Sequence, residues 1–176
     1  MNIVTTLSVL VENKPGVLAR IAGLFARRDF NIESLSVGPT EHPDLSRITL
    51  VALTPDERTL EQITKQLNKL VEVLRITELE KGKAVRRELV LVKVKADTKT
   101  RADLLAIVTM FRATVVDVAA DTVVIELTGR YGKVHAFLDM VAPFGIKELV
   151  QSGSVALARG SHAITDRSKY DKTPRG

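Results

Sequence analysis

Apolar residues form short runs separated by charged positions, and their period changes from segment to segment. Residues 3–11 are an almost unbroken β-branched run, which predicts a buried strand, and they lead into the turn Asn13-Lys14-Pro15-Gly16. Residues 16–28 change to a helical period, and their apolar positions are Val17, Leu18, Ile21, Leu24 and Phe25. We expect Pro15 to open this helix and Asn13 to cap its free amides.

The next segments complete a βαββαβ order within the first 79 residues. Residues 30–37 alternate apolar with polar positions, as a half-buried strand does, and residues 46–53 form a further strand. A second helix opens at Pro55-Asp56-Glu57, and residues 71–79 close the unit as a strand. The order predicts a ferredoxin-like α+β sandwich, with two helices on one face of a four-stranded antiparallel sheet.

The same order recurs in the second half of the chain. The predicted elements are a strand at 89–96, a helix at 101–111, strands at 114–119 and 122–127, a helix at 131–141 and a strand at 146–157. The first helices of the halves align at one constant offset, which pairs Leu18, Ile21, Leu24 and Phe25 with Leu104, Ile107, Met110 and Phe111. We therefore predict two tandem ferredoxin-like βαββαβ domains.

The predicted boundaries divide the chain into four parts. Residues 1–79 form a first domain, and the charged residues 80–87 form a linker. Residues 88–160 form a second domain, followed by a flexible tail at 161–176. The second domain opens its first helix with Asp97-Thr98-Lys99-Thr100-Arg101 and lacks the Asn-x-Pro-Gly turn. This asymmetry favours a sensor joined to a partner-binding module.

The Asn13–Gly16 turn has chemistry suited to a small zwitterion. A helix that begins at Gly16 presents backbone amides without intrahelical acceptors at the positive end of its dipole, which suits a carboxylate. Gly16 has no side chain to obstruct the approach, and Asn13 offers both a donor and an acceptor. An α-amino acid fits this description. The alternative is that the tetrapeptide is only a well-made turn and helix cap.

Composition excludes several other classes of function. The 176 residues include no cysteine, which excludes disulfides, thiolate zinc sites and thiol nucleophiles. The three histidines are scattered, and no phosphate-binding or dinucleotide motif occurs, so we expect no catalytic site. No apolar run approaches the ~20 residues that a membrane span needs. The N-terminus does not resemble a signal peptide, and we expect a cytoplasmic protein.

The net charge of +5 does not indicate nucleic-acid binding. The basic excess is concentrated from Arg159 onward, and the rest of the chain carries interspersed charges of both signs. Ferredoxin-like RNA-binding modules stack bases on aromatic residues of the sheet, whereas aromatic residues make up only 4% of this chain and tryptophan is absent. Aliphatic strands are better suited to packing against helices or a partner sheet.

The sequence resembles a known family in both halves. The first half resembles the ACT domain, and more closely that of the small regulatory subunits of acetohydroxyacid synthase, also called acetolactate synthase. The matching stretches of the first half are Glu12-Asn13, Pro15-Gly16-Val17-Leu18, Gly23-Leu24-Phe25, Arg28, Asn31-Ile32-Glu33-Ser34-Leu35 and Ser46-Arg47-Ile48-Thr49. Those of the second half are residues 87–94, Gly129-Arg130-Tyr131-Gly132-Lys133, Phe137-Leu138 and residues 145–150.

The resemblance implies a site shared between two chains. In this family, ACT domains pair, and a branched-chain amino acid, chiefly valine, binds between the loop of one chain and the second strand of the other. The residues implicated by the match are Asn13, Gly16, Val17 and Leu18 of one chain with Asn31 and Ile32 of its partner.

The resemblance also implies a role in a larger complex. The chain would form a homodimer, bind and activate a catalytic large subunit, and confer feedback inhibition in branched-chain amino-acid biosynthesis. Thiamine diphosphate, Mg²⁺ and FAD would belong to that catalytic partner, and we expect no metal or cofactor in this chain. The alternative is a free-standing ACT-type amino-acid-binding regulator of another pathway.

Overall fold

The computed structural model describes residues 3–27 and 31–166. Its strands are β1 (Ile3–Glu12), β2 (Asn31–Pro39), β3 (Leu45–Thr54), β4 (Val73–Glu78), β5 (Ala84–Lys95), β6 (Thr114–Val118), β7 (Thr122–Gly129), β8 (Ile146–Gln151) and β9 (Val155–Ala158). Its helices are α1 (Val17–Ala26), α2 (Glu57–Leu67), α3 (Arg101–Met110) and α4 (Tyr131–Val141), and the short 3₁₀ segment Ala142–Phe144 follows α4.

The chain divides into two compact units, each built on one antiparallel sheet. The N-terminal unit contains the residues up to Val85 together with those from Ser154, and its strand order is β2-β3-β1-β4. The C-terminal unit is Arg86–Gly153, with the order β6-β7-β5-β8, and β9 also pairs with β5. Both sheets have two helices on one face. The predicted pair of ferredoxin-like βαββαβ domains is confirmed.

The core of each unit lies between the sheet and its helices because every second residue of the central strands is apolar. In the N-terminal unit Leu7, Val9 and Val11 of β1 pack with Phe25 of α1 and Ile63 of α2. The equivalent core of the C-terminal unit contains Val90, Val92 and Val94 of β5, with Leu104 of α3 and Phe137 of α4. This alternation leaves the other face of each sheet, which we call the outer face, directed away from the helices.

β-bulges occur at matching places in the two units. In β2 the register against β3 shifts between Ile32 and Ser34, so Glu33 is an extra residue, and in β6 the extra residue is Val116. The bulge in β2 lets Ile32 and Leu35 pack against the same core although they lie three positions apart. A regular strand would direct them to opposite faces, and the alternation in the sequence did not reveal this insertion.

The helix alignment predicted from the sequence is wrong. It paired buried Leu24 with Met110, which is 71% exposed, and exposed Leu18 with fully buried Leu104. Burial instead matches positions 83 residues apart, as in Ile21 with Leu104, Leu24 with Ile107 and Phe25 with Val108. The error arose because a shift of three residues on an α-helix returns to nearly the same face.

Two predicted segments differ from the structure. Residues 84–87 were assigned to a linker, but they are the first residues of β5, and their charged side chains concealed the strand. Residues 146–157 were predicted as one strand, whereas the chain leaves the strand after Gln151 and begins β9 at Val155. Gly153 ends the C-terminal unit, and the amide of Ser154 donates to Ser34 Oγ at 2.8 Å.

The predicted tail also divides. Residues 161–166 are described and belong to the N-terminal unit, whereas 167–176 lie outside the described residues, as do Arg28 and Phe30. The amide of Ala163 donates to the carboxylate of Asp166 at 2.7 Å, so the end of the described chain forms a turn.

Replacing Phe137 with alanine tests the core of the C-terminal unit. Phe137 is fully buried and packs edge-on against Phe111, with ring centroids 5.4 Å apart. Because this change leaves a cavity, Phe137→Ala should lower the free energy of unfolding by about 3–5 kcal/mol. Met110→Ala on the same unit, at an exposed position, should change it by no more than about 0.5 kcal/mol. Urea denaturation followed by circular dichroism measures both, and equal effects would contradict this packing.

Candidate functional site

Gly16 lies in the left-handed region at the start of α1. Its φ is 85° and its ψ is −10°, a conformation that costs an L-residue with a side chain about 1–2 kcal/mol. A β-carbon placed on Gly16 would meet nothing within 4 Å, so the approach to the helix start is open. The turn therefore requires glycine for its backbone, and the missing side chain leaves space beside the amides.

Asn13 is held by the loop between β2 and β3. Its backbone amide donates to the carbonyl of Asp44 at 2.7 Å, and its side-chain Nδ2 donates to the carbonyl of Pro43 at 3.1 Å. The prediction that Asn13 caps α1 is wrong, since the residue before the first helical position is Gly16 and α1 has no side-chain cap hydrogen bond. Pro15 also precedes the helix without opening it, since Gly16 is the residue before the first helical position.

The first turn of α1 lacks a side-chain cap. No side chain accepts from its amides, and its first turn contains no acidic residue. Within the described part of the chain, the amides of Leu18 and Ala19 have no backbone acceptor, and that of Val17 has only a long contact of 3.5 Å to the carbonyl of Lys14. These amides form the positive end of the helix dipole.

Elsewhere in the chain, amides at the start of α2 and just before α3 bind an internal carboxylate, whereas α4 also lacks a side-chain cap. Asp56 accepts from the amide of Thr59 at 2.7 Å, and Asp97 accepts from the amides of Lys99 and Thr100 at 2.9 and 2.8 Å. Hydrogen bonds from Thr59 lower the pKa of Asp56, and those from Thr100 lower the pKa of Asp97, so both remain charged. At α1 the same environment is available to a carboxylate from outside the chain.

Two ion pairs flank the turn. Lys14 Nζ lies 2.8 Å from Glu12 Oε2, and this carboxylate raises the pKa of Lys14. Arg20 of α1 pairs with Glu72, whose backbone carbonyl also accepts from the amide of Glu12 at 2.9 Å. The charged side chains nearest the turn are thus already paired with each other, and the backbone amides remain the open feature.

The predicted apolar contacts have different surroundings. Val17 is 5% exposed and belongs to the core, so its side chain faces away from the solvent and only its backbone borders the turn. Leu18 is 41% exposed beside the open amides. Of the two side chains, Leu18 is the one available to an apolar ligand group.

Asn31 and Ile32 lie at the opposite end of the same sheet. Asn31 pairs with Leu53, which pairs with Val4, whereas the turn follows Glu12 at the other end of β1. Eight residues of extended chain span about 27 Å. The structure therefore brings Asn13, Gly16, Val17 and Leu18 together, and it places Asn31 and Ile32 too far away to share a small ligand within one chain.

Sequence reasoning missed the loop that supports the turn. Pro43 and Asp44 contribute through backbone carbonyls, which any residue type supplies, so no pattern in the sequence identified them. Among the described residues, no group of three acidic or histidine side chains is arranged to hold a metal ion. None of the helices in that part of the chain has the length and hydropathy of a membrane-spanning segment.

Two family descriptions match successive parts of the chain. Residues 7–75 match the AHAS small subunit-like ACT domain, and residues 87–160 match the small subunit of acetolactate synthase. The class of protein is therefore one in which an ACT domain is followed by a second domain with the same order of strands and helices.

Relatives of similar length agree with both matches. The acetolactate synthase small subunit of Mycolicibacterium smegmatis is 54% identical over 159 residues, covering 90% of this chain and 93% of the relative. The probable small subunit of Archaeoglobus fulgidus is 51% identical over 89% of this chain and 97% of its own. A crystal structure of the small subunit from Thermotoga maritima superimposes with a TM-score of 0.84 at 39% identity, covering 91% of this chain and 99% of that one. The chain belongs to the acetolactate synthase small-subunit family.

A glycine comparison tests the conformation of the turn. Gly16→Ala should destabilise the protein by about 1–2 kcal/mol because the left-handed backbone disfavours a β-carbon. Gly132 lies within α4 with open space around it, so Gly132→Ala should leave stability unchanged or raise it by up to about 1 kcal/mol. Thermal unfolding of both variants measures the difference, and a neutral Gly16→Ala would contradict the left-handed assignment.

Proposed function

We propose that this chain is the regulatory subunit of an acetolactate synthase. It binds and activates a thiamine-diphosphate-dependent catalytic subunit and makes that enzyme sensitive to feedback inhibition by valine or a related branched-chain amino acid. The family membership supports the regulatory role, and the uncapped first turn of α1 is the observation that carries the sensing role. The cofactors of the reaction belong to the catalytic partner.

The ligand's carboxylate would bind at the start of α1. The amides of Leu18 and Ala19 would donate to it, as other backbone amides of the chain donate to Asp56 and Asp97. Gly16 leaves the approach open, and the exposed side chain of Leu18 offers an apolar contact to a branched aliphatic group. A zwitterion with an aliphatic side chain fits these features better than a dicarboxylate, because the nearest lysine and arginine are already paired.

Pairing of two chains along β2 supplies the rest of the site. β2 is an edge strand, so a second copy can add its own β2 in antiparallel orientation and extend the sheet. Pro39 pairs with Ser46, which pairs with Val11, and this places the end of β2 at the same end of the sheet as the Asn13–Gly16 turn. Antiparallel pairing sets Asn31 of one chain near Pro39 of the other. The proposed site is therefore shared by two chains, and the proposed unit is at least a homodimer.

Regulation then follows from the ligand's preference for one arrangement of the dimer. A ligand that contacts both chains stabilises the arrangement in which the two half-sites meet, and it thereby biases what the C-terminal domain presents to the catalytic subunit. Coupling of this kind is typically worth about 1–3 kcal/mol. We place amino-acid sensing and dimerisation in the N-terminal unit and contact with the catalytic subunit in the C-terminal unit, which ends at Gly153 and not at the predicted residue 160.

Calorimetry with a substituted turn tests this function. The purified chain should bind at least one of valine, leucine and isoleucine, and the reconstituted enzyme should lose activity with the same ligand. Gly16→Asp places a negative charge at the helix start, so it should abolish binding and inhibition while activation of the catalytic subunit persists. Gly16→Asn, which has nearly the same shape without the charge, is the matched control and should retain weakened binding.

Three outcomes would contradict the proposal. If the assembled wild-type dimer binds none of the three amino acids in calorimetry, the sensing role is wrong. Unchanged inhibition of the Gly16→Asp enzyme places the site elsewhere. If the wild-type chain does not activate a catalytic subunit, the proposed regulatory role is wrong. A free-standing amino-acid-binding regulator would then be the better explanation.

A further inference from the structure

Residues 154–166, which we call the strap, follow the C-terminal unit in the chain but belong to the N-terminal unit. Hydrogen bonds hold the strap there, and within it the amide of Arg159 donates to the carbonyl of Lys83 at 2.8 Å. The amide of Ser154 donates to Ser34 Oγ at 2.8 Å, Arg75 Nη1 donates to the carbonyl of Ile164, and Thr165 Oγ1 donates to Glu41 Oε1 at 2.8 Å. The strap is therefore attached to the sensing fold at both of its ends.

The strap crosses the outer face of the N-terminal sheet from one edge to the other. Ser34 pairs with Val51 and Arg75 with Leu10, so both anchors point away from the helices, on edge strands β2 and β4. The two anchors lie three strands apart across the sheet and four residues apart along the strands. Their separation is therefore about 20 Å. Ser154 and Ile164 are ten positions apart, so the chain between them can extend to about 33 Å, which suffices for the diagonal path.

Burial on the two outer faces agrees with this path. The N-terminal outer face is buried, with exposed fractions below 9% at Thr6, Ser8, Leu10, Thr49 and Val51. The corresponding positions of β5 in the C-terminal unit, Leu89 and Leu91, are 38% and 36% exposed. The two sheets share one topology, and the sheet with the strap is the one whose outer face is covered.

Each end of the strap meets a segment that carries one half of the proposed site. Ser34 follows Asn31 and Ile32 across the bulge of β2. Glu41 lies in the loop whose carbonyls, at Pro43 and Asp44, hold Asn13. The backbone amide of Glu41 and the hydroxyl of Thr165 lower the pKa of Glu41, so a charged acceptor receives the Thr165 hydrogen bond at neutral pH.

We propose that Thr165 and Glu41 are positioning residues of the amino-acid site, and that the strap links this site to the C-terminal unit. The proposal rests on the amino-acid sensing proposed above. Thr165 fixes the β2–β3 loop, the loop fixes Asn13, and Asn13 fixes the turn at which the carboxylate binds. Because Ser154 is bonded directly to Gly153, the last residue of the C-terminal unit, a shift of the loop on ligand binding reaches that unit through the chain itself.

Thr165→Val removes the hydroxyl donor at nearly constant shape, and it tests the proposal in the full-length chain. Without ligand, hydrogen exchange at the Asn13 amide should accelerate at least about fivefold, because its acceptor loop has lost a support. In the reconstituted enzyme, the valine concentration that gives half inhibition should rise at least about fivefold. Leucine and isoleucine are measured in parallel.

Three control variants isolate the Thr165–Glu41 hydrogen bond. Thr165→Ser keeps the hydroxyl and should behave as the wild type. Thr64→Val makes the same substitution in α2, where the hydroxyl donates to the carbonyl of Leu60 in its own helix, and it should change neither readout. Glu41→Ala should reproduce the effect of Thr165→Val, and the double variant should equal either single variant, as expected for two partners in one bond.

The other possible outcomes would overturn the proposed role of Thr165 and Glu41 or the proposed function. Unchanged exchange at Asn13 in Thr165→Val overturns the proposal, and so does a Thr165→Ser variant that resembles Thr165→Val. Full additivity of Glu41→Ala and Thr165→Val also overturns it. If the wild-type chain binds none of the three amino acids, the proposed function fails, whereas the ligand-free exchange comparison still decides whether Thr165 positions the turn.

Discussion

The unbroken register between β1 and β3 is the constraint on which the proposed site depends. These strands pair without a shift from Ile3 with Thr54 to Glu12 with Leu45, and so they fix the length of the central sheet. The turn after Glu12 and the start of β2 therefore lie at opposite ends, about 27 Å apart. Residues of one small-molecule site cannot be that distant within one chain, and in the proposed dimer an antiparallel partner at the β2 edge would bring the two ends together. In this proposal, dimerisation and sensing are one geometric requirement.

The starts of the helices explain why only one half of the chain is proposed to sense a ligand. Asp56 caps the first turn of α2, and Asp97 accepts from the amides of Lys99 and Thr100 just before α3, where hydrogen bonds keep both carboxylates charged; α4, like α1, has no side-chain cap and no acidic residue in its first turn. The first turn of α1 has no such group and begins at a left-handed glycine. The equivalent helix of the C-terminal unit, α3, begins after Thr100 and not after a left-handed glycine, and this difference supports the proposal that only the N-terminal unit senses a ligand.

Most of the fold could be predicted from the sequence because the apolar periods are regular. The bounds of α4 agree with the predicted residues 131–141, and the turn at Gly16 was located from residue types alone. The failures have physical causes. Charged side chains concealed the start of β5, the 3.6-residue period concealed a three-residue error in aligning the helices, and the bulge at Glu33 leaves no signature in composition. The hydrogen bonds of Asn13 to backbone carbonyls thirty residues away could not be deduced from any local pattern.

Complementation between two inactive variants measures the central claim, that each site is built by two chains. Gly16→Asp damages the helix half and Asn31→Ala the strand half, so dimers of either variant alone should bind no valine in calorimetry. Random mixing makes half of the dimers mixed, and each mixed dimer has one intact site, so the mixture should regain about a quarter of the wild-type sites. A mixture that stays silent while both variants fold and dimerise, or full binding by Asn31→Ala alone, would contradict the shared site.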